Sequence, residues 1–319
     1  MKKNKKAFFR FEASSSIGAG HAMRSCVIAD ALVERGWECC VVTTETTYEL
    51  IKSLERFKRI DPNQFYDHPI NCDLLVVDNY DLDQTYEQHF RLFAKKILVI
   101  DDLANRPHEC DVLIDQTYGR AADDYKSLVS ESCTILAGSD YALIRNEFAE
   151  LRPKALEKRR NTTEIKRALI SMGGGDVVNW MIEALKMLQD VDFQDEIDIV
   201  IGFSVKNKSA LEQFIETLPN KVTIHVNGNM PELNYNADFA IGAAGSSVWE
   251  RACLGLPQFL IMTAANQKEI VKLFSDVSFS ELYMSLQSNY QNYENSISAH
   301  TDGLGCLRII NYIEEKHDK

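Results

Sequence analysis

The chain has 319 residues, a length that exceeds one ordinary domain and suits two. It carries 35 basic and 47 acidic residues, and the net charge of -12 argues against a broad nucleic-acid-binding surface. Hydrophobic residues make up 45% of the chain, which is enough for a packed core and argues against global disorder. The sequence contains no apolar run long enough to predict a membrane span.

The first residues and the cysteines favour a reduced, cytoplasmic protein. The basic segment 1–6 is not followed by an apolar segment, because Arg10 and Glu12 interrupt it, so we expect no signal peptide. The eight cysteines form no C-x-x-C pair, which excludes the common zinc patterns and a dense disulfide framework. We therefore expect free thiols.

Apolar runs alternate with helical patterns through the first half of the chain. Strands are predicted at 7–11, 39–43, 74–78, 97–101 and 112–115, and a helix over 21–35. Unbroken apolar runs are typical of buried parallel strands. Three of these strands end in aspartate, at Asp78, Asp101 and Asp115. Because polar residues at carboxyl ends of parallel strands face the ligand crevice, these residues predict one polar rim.

Residues 151–167 differ in composition from the rest of the chain. They carry seven basic and two acidic residues, including Pro153 and the basic run 158–160. This composition predicts a solvated linker between two domains. A nucleic-acid contact is the alternative, which we do not favour because the run lacks interleaved aromatic residues.

The second half repeats the same alternation. Strands are predicted at 168–171, 197–201, 222–226, 239–241 and 259–262, and helices at 180–188, 245–254 and 306–315. The whole pattern predicts an α/β protein with two doubly wound, Rossmann-type domains facing a cleft. The predicted organisation is a first domain over 1–150, the linker 151–167, a second domain over 168–302 and a closing helix over 303–319. The segment 275–301 carries no motif that we interpret.

The first motif is the segment 14–21 (SSSIGAGH), which follows a strand and opens a helix. Gly18 and Gly20 match the start of a dinucleotide fingerprint, but Met23 replaces its third glycine, so we expect no NAD site. The glycines permit a tight turn and close approach of a ligand. His21 then lies at the helix N-terminus, where the helix dipole favours the neutral imidazole that acts as a base. A capping or packing histidine is an equally good interpretation.

The second motif is the segment 171–176 (SMGGGD), directly after a strand. Gly173, Gly174 and Gly175 can point successive backbone amides at an anion. The absence of a Walker lysine argues against an ATPase. A plain flexible loop is the alternative.

The third motif is the segment 240–251 (AIGAAGSSVWER), in which a strand ends in small residues and a helix begins. After Gly245, Ser246 and Ser247 can cap that helix and leave amides for a diphosphate. Glu250 follows one turn later, and its carboxylate can accept both hydroxyls of a ribose. The alternative for Glu250 is a solvated helix residue, and we favour ribose binding.

The fourth motif is the segment 263–267 (TAANQ), just past a strand. The amides of Asn266 and Gln267 can both donate to and accept from sugar hydroxyls or N-acetyl groups. A helix cap at Asn266 is a close alternative.

Four residues suggest a metal site at first sight. His108, Asp101, Asp102 and Asp111 lie near one another in sequence. Their spacing matches no strong metal-binding pattern, and the two adjacent aspartates can simply cap a turn. We therefore expect no metal.

Taken together and in this order, these motifs resemble those of a known family. The most specific stretches are 17–24 (IGAGHAMR), 99–108 (VIDDLANRPH), 110–116 (CDVLIDQ), 141–148 (YALIRNEF), 171–176 and 242–251. They resemble the nucleotide-sugar hydrolases of pseudaminic acid biosynthesis, which supply a precursor of flagellin and surface glycans. That family looks like the GT-B glycosyltransferases, especially the lipid II-forming N-acetylglucosaminyltransferase. The resemblance covers residues 7–270.

The resemblance implies a GT-B-like fold and hydrolysis of UDP-2,4-diacetamido-2,4,6-trideoxy-β-L-altropyranose at its anomeric carbon, releasing UDP without a metal. The first domain then holds the sugar and the base, and the second holds UDP. The catalytic residues that it implies are His21 as the general base, Tyr80 and the active-site amide Asn266. The residues assigned to substrate binding are Gly18, Gly20, Arg24, Gly173, Gly174, Gly175, Gly245, Ser246, Ser247, Glu250 and Gln267.

Two residues depart from the family pattern near the expected sugar site. Glu12 stands where the family commonly has aspartate, and Asn79 stands where histidine is common before the tyrosine. Both departures concern the exact sugar more than the reaction.

Elementary chemistry agrees with a hydrolase. UDP is a good leaving group when its charge is stabilised, and helix amides can stabilise it without Mg²⁺ or another cofactor. Because the chain is acidic overall, a local group of amides has to bind the anion. One base on one face of the sugar predicts inversion.

Three alternatives to the hydrolase stay open. They are a GT-B glycosyltransferase, a hydrolysing 2-epimerase that would use Asp78 and Asp101, and a nucleotide-sugar-binding regulator without turnover. The expected partner is a small-molecule UDP-sugar, with no nucleic acid and no membrane span. The oligomeric state is not fixed by the sequence, and a monomer is compatible with it.

Overall fold

The structure is a computed structural model that describes residues 4–14, 18–173, 177–202, 205–263, 267–274 and 277–315. Its strands, in chain order, are β1 (Lys6–Phe11), β2 (Glu38–Val42), β3 (Lys58–Ile60), β4 (Cys72–Asp78), β5 (Ala94–Ile100), β6 (Val112–Asp115), β7 (Thr134–Ala137), β8 (Arg167–Ser171), β9 (Glu196–Ile201), β10 (Val222–Val226), β11 (Phe239–Ala243) and β12 (Gln258–Ile261).

The helices occupy the segments between the strands and the C-terminal part of the chain. In chain order they are α1 (Gly20–Glu34), α2 (Glu45–Leu50), α3 (Pro62–Asp67), α4 (Gln84–Phe90), α5 (Asn146–Arg160), α6 (Val178–Asp190), α7 (Lys208–Ile215), α8 (Met230–Asn236), α9 (Ser247–Cys253), α10 (Lys268–Phe274), α11 (Phe279–Ser298) and α12 (Gly305–Glu315). Short 3₁₀ helices lie at Lys52–Arg56, Ala122–Tyr125 and Ser139–Tyr141. No helix in the described part of the chain combines the length and apolar character needed to cross a membrane.

The chain divides into two compact units. Unit 1 comprises Met1–Leu143 with Leu304–Lys319, and unit 2 comprises Ile144–Gly303. The division places α12 in unit 1, where Ile309, Ile310 and Ile313 join the apolar cluster that also contains α1. Helix α12, which lies in the segment predicted as a separate closing helix over 303–319, therefore packs within unit 1.

Unit 1 contains a parallel sheet with the strand order β3-β2-β1-β4-β5-β6-β7. Successive residues of its central strands face opposite sides, as the period of a strand requires. In β1, Phe9 packs on the side covered by α1 and α12, and Phe8 packs on the side of Phe65 and Phe90 from α3 and α4. Burial on both faces explains why these strands are unbroken apolar runs.

Unit 2 contains a parallel sheet with the order β10-β9-β8-β11-β12. One face packs against α6 and α11, where Ile170 of β8 and Met181 of α6 share a cluster. The opposite face packs against α8, where Leu169 and Leu233 share another. Both units are thus doubly wound parallel α/β domains, and the predicted fold class is confirmed.

The prediction of a solvated linker over 151–167 is wrong for its first ten residues, which belong to α5. Arg152, Lys158 and Arg159 donate hydrogen bonds to carbonyls at the C-terminal ends of neighbouring helices. Arg152 contacts the ends of α9 and α11, and Lys158 and Arg159 contact the end of α8. Unpaired carbonyls and the negative end of the helix dipole attract such cations. The basic composition therefore serves packing within unit 2.

Candidate active site

Unit 1 has its topological switch point between β1 and β4, where ligands bind in open α/β sheets. The two strands are parallel neighbours, and Phe11 at the end of β1 is paired with Asp78 at the end of β4. Gly18 has a positive φ of 82°, a backbone conformation that favours glycine, and its amide donates to the carbonyl of Ser14. The turn then enters α1 at Gly20, so His21 is the second residue of the helix.

His21 is held by a carboxylate from the neighbouring strand. The distance from His21 Nδ1 to Asp78 Oδ1 is 2.5 Å, and both side chains are buried. Burial alone would raise the pKa of Asp78, but Arg24 and His21 outweigh it and lower this pKa to about 2. Asp78 is thus ionised and accepts the proton of Nδ1, so Nε2 is the nitrogen of His21 that can take a proton. This is the arrangement of an oriented general base.

Arg24, one helical turn after His21, connects two carboxylates. Its Nε and Nη2 donate to Asp78 at 2.8 and 2.6 Å, and its Nη1 donates to Asp102 at 2.7 Å. Burial opposes the charge of this guanidinium, but the two aspartates raise the pKa of Arg24 well above its ordinary value. The structure therefore places Arg24, predicted as a substrate-binding residue, inside a side-chain network where all three nitrogens contact protein carboxylates.

Tyr80 lies beside His21 and belongs to the same network. Its hydroxyl donates to Asp102 Oδ1 at 2.7 Å. Its ring meets the His21 imidazole edge-on, with centroids 4.5 Å apart and an interplanar angle of 83°. Asn79, one of the two departures from the family pattern, accepts the amide of Asp81 through Oδ1 and so closes the turn that presents Tyr80.

Glu12, the other departure, is occupied by donors from its own unit. Its carboxylate accepts hydrogen bonds from Arg10, Thr43, Thr44 and Thr47. Burial raises the pKa of Glu12, but the threonine hydroxyls and Arg10 outweigh it, and the net shift is downward. Glu12 thus joins the end of β1 to the segment after β2.

The polar rim predicted from three strand-ending aspartates exists, but its carboxylates are covered. Asp78, Asp101 and Asp115 are each fully buried. Asp101 accepts Arg106 Nη1 at 2.7 Å, and Asp115 accepts Arg120 Nε at 2.6 Å, as Asp78 accepts Arg24. Each carboxylate is neutralised by an arginine from a nearby loop or helix, which is what makes its burial tolerable.

Unit 2 has an equivalent switch point between β8 and β11. Gly173 after β8 has a positive φ of 77°. A Cβ at Gly242 of β11 would lie 2.8 Å from the carbonyl of Ser171 and 2.9 Å from Arg251 Nη1, so only glycine fits there. Arg251 is fully buried and donates to Gln258 Oε1 at 2.5 Å and to the Ala243 carbonyl at 3.1 Å. It ties the end of β11 to the start of β12.

The serines at the start of α9 behave differently from the prediction. Ser246 has helical backbone angles and its side chain makes no capping hydrogen bond, because a capping serine needs an extended backbone. Ser247 Oγ lies 3.2 Å from Arg251 Nη1, from which it accepts a hydrogen bond. Capping by these two serines is therefore wrong. The amides of Val248 and Trp249 bond back to Gly245 and Ser246.

Glu250 lies on α9 opposite an arginine. Arg145 Nε and Nη2 lie 3.2 and 3.1 Å from Glu250 Oε1, to which both donate. Burial raises the pKa of Glu250, and Arg145 offsets only part of that rise. Glu250 is thus not a solvated helix residue, since 17% of its side chain is exposed. Both of these hydrogen bonds use Oε1 of Glu250, so its Oε2 can accept a hydrogen bond from a ligand.

The fourth motif is only partly described. Gln267 Oε1 accepts hydrogen bonds from the amide of Thr263 at 2.8 Å and from its hydroxyl at 3.1 Å, so this oxygen is engaged by Thr263 after β12. Asn266 lies outside the described residues, as do Gly174 and Gly175 of the second motif. Within the described ranges, no three histidine, cysteine, aspartate or glutamate side chains form a group suited to a metal.

The structure joins three residues to predicted site residues with which the sequence had not paired them. Asp78 holds His21, Asp102 holds Tyr80, and Arg145 holds Glu250. Asp78 did carry a signal, because it ends a strand that a doubly wound order places beside β1. The partners of Tyr80 and Glu250 lie 22 and 105 positions away in the chain, and no local pattern identifies them.

No protein-family model matches the chain, but three curated relatives do. UDP-2,4-diacetamido-2,4,6-trideoxy-beta-L-altropyranose hydrolase of Campylobacter jejuni is 28% identical over 266 residues, covering 78% of this chain and 88% of the relative. Spore coat polysaccharide biosynthesis protein SpsG of Bacillus subtilis is 23% identical, covering 95% and 96%. An uncharacterized protein of Methanocaldococcus jannaschii is 25% identical over 81% of this chain, which spans only 56% of that relative.

Solved structures show the same architecture. MurG of Acinetobacter baumannii matches with a TM-score of 0.68 and 14% identity, covering 98% of this chain and all of that one. A UDP-N-acetylglucosamine 2-epimerase matches with a TM-score of 0.61 and 12% identity, covering 100% and 97%. The chain therefore has a GT-B-type fold, and its sequence resembles the Campylobacter hydrolase.

Proposed function

We propose that this chain is a UDP-sugar-processing enzyme of the hydrolase type. It cleaves the bond between the anomeric carbon and the diphosphate of UDP-2,4-diacetamido-2,4,6-trideoxy-β-L-altropyranose, a step in pseudaminic acid biosynthesis. The observation that carries this proposal is the His21–Asp78 pair at the switch point of unit 1, with Nδ1 engaged and Nε2 left as the base.

In the proposed reaction, water attacks the anomeric carbon from the face opposite the diphosphate. The carbon–oxygen bond to the phosphate breaks, and UDP leaves with the electron pair. Nε2 of His21 takes one proton of the attacking water, whose oxygen becomes the anomeric hydroxyl. Since a single displacement occurs on one face, the configuration at that carbon inverts. Asp78 stabilises the imidazolium that forms, as the buried carboxylate does in other histidine–carboxylate pairs that act as a general base.

Unit 2 binds UDP in this proposal. The amides at Gly245–Ser247 and those of the glycines at 173–175 receive the diphosphate, and no metal or cofactor is needed. Glu250 accepts ribose hydroxyls, with Arg145 holding one oxygen so that the other faces the ligand. Asn266 and Gln267 contact the substrate in the same region, and Gly18 and Gly20 let the sugar approach the backbone of unit 1.

The comparisons support this reaction through names only. The Campylobacter relative is named a hydrolase of this UDP-sugar, and the Bacillus relative is named for spore coat polysaccharide biosynthesis. The solved structures share the fold at 14% identity or less. We also propose a cytoplasmic location, because all eight cysteines are free, and free thiols are typical of reducing compartments.

One observation weighs against the 2-epimerase alternative. That reaction needs carboxylates at the sugar, and the two available from the sequence are Asp78 and Asp101. Both are fully buried and occupied by arginines. A GT-B glycosyltransferase stays the second candidate, because it would use the same base on an acceptor hydroxyl instead of water.

The test is incubation of the protein with a panel of UDP-sugars in the presence of EDTA, followed by NMR. We expect release of UDP and of the free diacetamido sugar with inverted configuration, and ¹⁸O-labelled water should place the label on the sugar carbon. Label on phosphorus, or no release from any UDP-diacetamido-trideoxyhexose, would rule out the hydrolase. Release that requires an added acceptor alcohol would favour the glycosyltransferase.

A further inference from the structure

The Asp102 carboxylate bridges two donors in unit 1. One oxygen accepts the hydroxyl of Tyr80 at 2.7 Å, and the other accepts Nη1 of Arg24 at 2.7 Å. The remaining nitrogens of Arg24 contact Asp78, which holds His21. One guanidinium thus connects the base and the tyrosine through two separate carboxylates.

The bridge determines what the Tyr80 hydroxyl can do. A phenol has one proton to donate, and here that proton lies on the bond to Asp102, which is acceptor-only when ionised. Burial, with the charge of Asp102, raises the pKa of Tyr80, so its oxygen keeps the proton at neutral pH. What remains is a lone pair, so Tyr80 can accept a hydrogen bond from a ligand but not give one.

We propose that Asp102 is a positioning residue that, together with Arg24, holds the Tyr80 hydroxyl as an acceptor for an amide N–H or hydroxyl of the sugar. The inference rests on the proposed function and adds a specificity element to it. A sugar that carries an acetamido N–H at this place is bound, and one without a donor covers the hydroxyl oxygen of Tyr80 and leaves its lone pair without a hydrogen bond. The same bridge keeps the Tyr80 ring against the imidazole of His21.

Asp102→Asn reverses this polarity with little change of shape. The amide oxygen is expected to turn towards the charged Arg24, and the amide nitrogen towards Tyr80. The N–H then donates to the phenol oxygen, and the phenol proton points to the ligand instead. In this variant the phenol proton therefore opposes the N–H or O–H group of the sugar from which wild-type Tyr80 accepts a hydrogen bond. Asp102→Glu retains a carboxylate and is expected to keep part of the activity.

The kinetic test uses the full chain and the UDP-diacetamido sugar, with Asp102→Asn, Tyr80→Phe and the double variant. We expect Asp102→Asn to lower kcat/KM about tenfold or more, and to have little further effect in the Tyr80→Phe background, because Asp102 acts through Tyr80. An analogue with its acetamido nitrogens methylated should be discriminated against by the wild type and not by Asp102→Asn. Asp111→Asn is the matched control, since it breaks another arginine–aspartate pair, which lies before the N-terminal end of β6, whereas Asp102 follows the C-terminal end of β5.

A second measurement needs no turnover. Titration of tyrosinate absorbance, with Tyr80→Phe as the reference that isolates Tyr80, should show a lower pKa of Tyr80 in Asp102→Asn and an unchanged one in Asp111→Asn. If no UDP-sugar is hydrolysed by the wild type, the proposed function fails while this titration still tests the bridge. An unchanged pKa of Tyr80 in Asp102→Asn, or additive losses in the double variant, would overturn the inference.

Discussion

The two units build their switch points on the same topology but from different chemistry. Each has a central strand, a glycine-containing turn and a helix beside the neighbouring strand in the order 3-2-1-4-5. In unit 1 the buried arginine, Arg24, is matched by two carboxylates. At the switch point of unit 2, the buried Arg251 donates to the neutral acceptors Gln258, Ser247 and the Ala243 carbonyl, and burial lowers its pKa to about 10.

This difference separates two tasks that one fold can perform. A charged network with fixed hydrogen-bond directions holds a base in one protonation pattern, which suits proton transfer. Small residues around a buried arginine leave the backbone amides accessible to a ligand, which suits the binding of a phosphate group. We therefore expect substitutions in unit 1 to change the rate of reaction, and substitutions in unit 2 to change affinity or stability.

The largest effect is expected from His21→Ala. Loss of a positioned general base typically lowers kcat about 10²- to 10⁴-fold, with little change in KM. UDP release in a coupled assay measures it, and the exposed His68→Ala serves as the control. A His21→Ala variant with the full rate would show that unit 1 does not supply the base.

The next largest effect concerns unit 2. Arg251→Met leaves Gln258 Oε1 and the Ala243 carbonyl buried without this donor, and such unsatisfied groups cost roughly 1–3 kcal/mol each. We expect a loss of about 3 kcal/mol in the free energy of unfolding of unit 2. Urea unfolding followed by the fluorescence of Trp249 measures it, because this buried residue lies on the same helix. Exposed Arg160→Met is the control, and an equal loss there would contradict the assignment.

The third prediction distinguishes the units by the sign of their pH dependence. The pKa of Asp78 falls from 3.8 to about 2 on folding, so its contribution is present above pH 4 and is lost as the pH falls towards 2. This shift corresponds to about 2 kcal/mol. Glu250 has a raised pKa, so its contribution grows as the pH falls through the ordinary range of a carboxyl group.

Unfolding measured from pH 6 to pH 2 in wild type, Asp78→Asn and Glu250→Gln checks this. Asp78→Asn should lose less stability between pH 4 and 2 than the wild type does, by about 2 kcal/mol. Glu250→Gln should lose more stability than the wild type as the pH falls from 6 to 2, because it lacks the carboxyl group whose protonation favours the folded state. Identical pH profiles for the two variants would show that the charge contrast between the switch points is absent.

The sequence predicted the sheets well and the covering helices poorly. Central strands such as β4 and β5 are buried on both faces, so they appear as unbroken apolar runs. The edge strand β3 has three residues, none of them buried, and carries no such signal. The part of α5 from residue 151 onward was mistaken for a linker because it is rich in basic residues, whereas Arg159 is buried and Arg152 half-buried through bonds to distant carbonyls.

The sequence could predict where single residues of the candidate site lie relative to strands and helices, but not which side chains they contact. His21 and Glu250 follow from the strand–turn–helix pattern, which fixes helix starts near strand ends. The partners of these residues come from other strands and loops, and only the fold brings them within hydrogen-bond distance. Serine capping at Ser246 failed for a local reason, since the backbone there is already helical. The sequence does not show the backbone dihedral angles of Ser246 that exclude capping.

The smallest expected effect, Glu250→Ala, is the sharpest test of the division of labour. If Glu250 only binds ribose, its loss weakens ground state and transition state alike, so KM rises about tenfold while kcat is nearly unchanged. The KM of Glu250→Gln should lie between those of the wild type and Glu250→Ala, since glutamine keeps a hydrogen-bond acceptor but lacks the negative charge that pairs with Arg145. Steady-state kinetics on the UDP-sugar, with Glu183→Ala on α6 as the control, separates these cases. A drop in kcat as large as that of His21→Ala would place Glu250 among the groups that act in the chemical step, and the two switch points would then share one task.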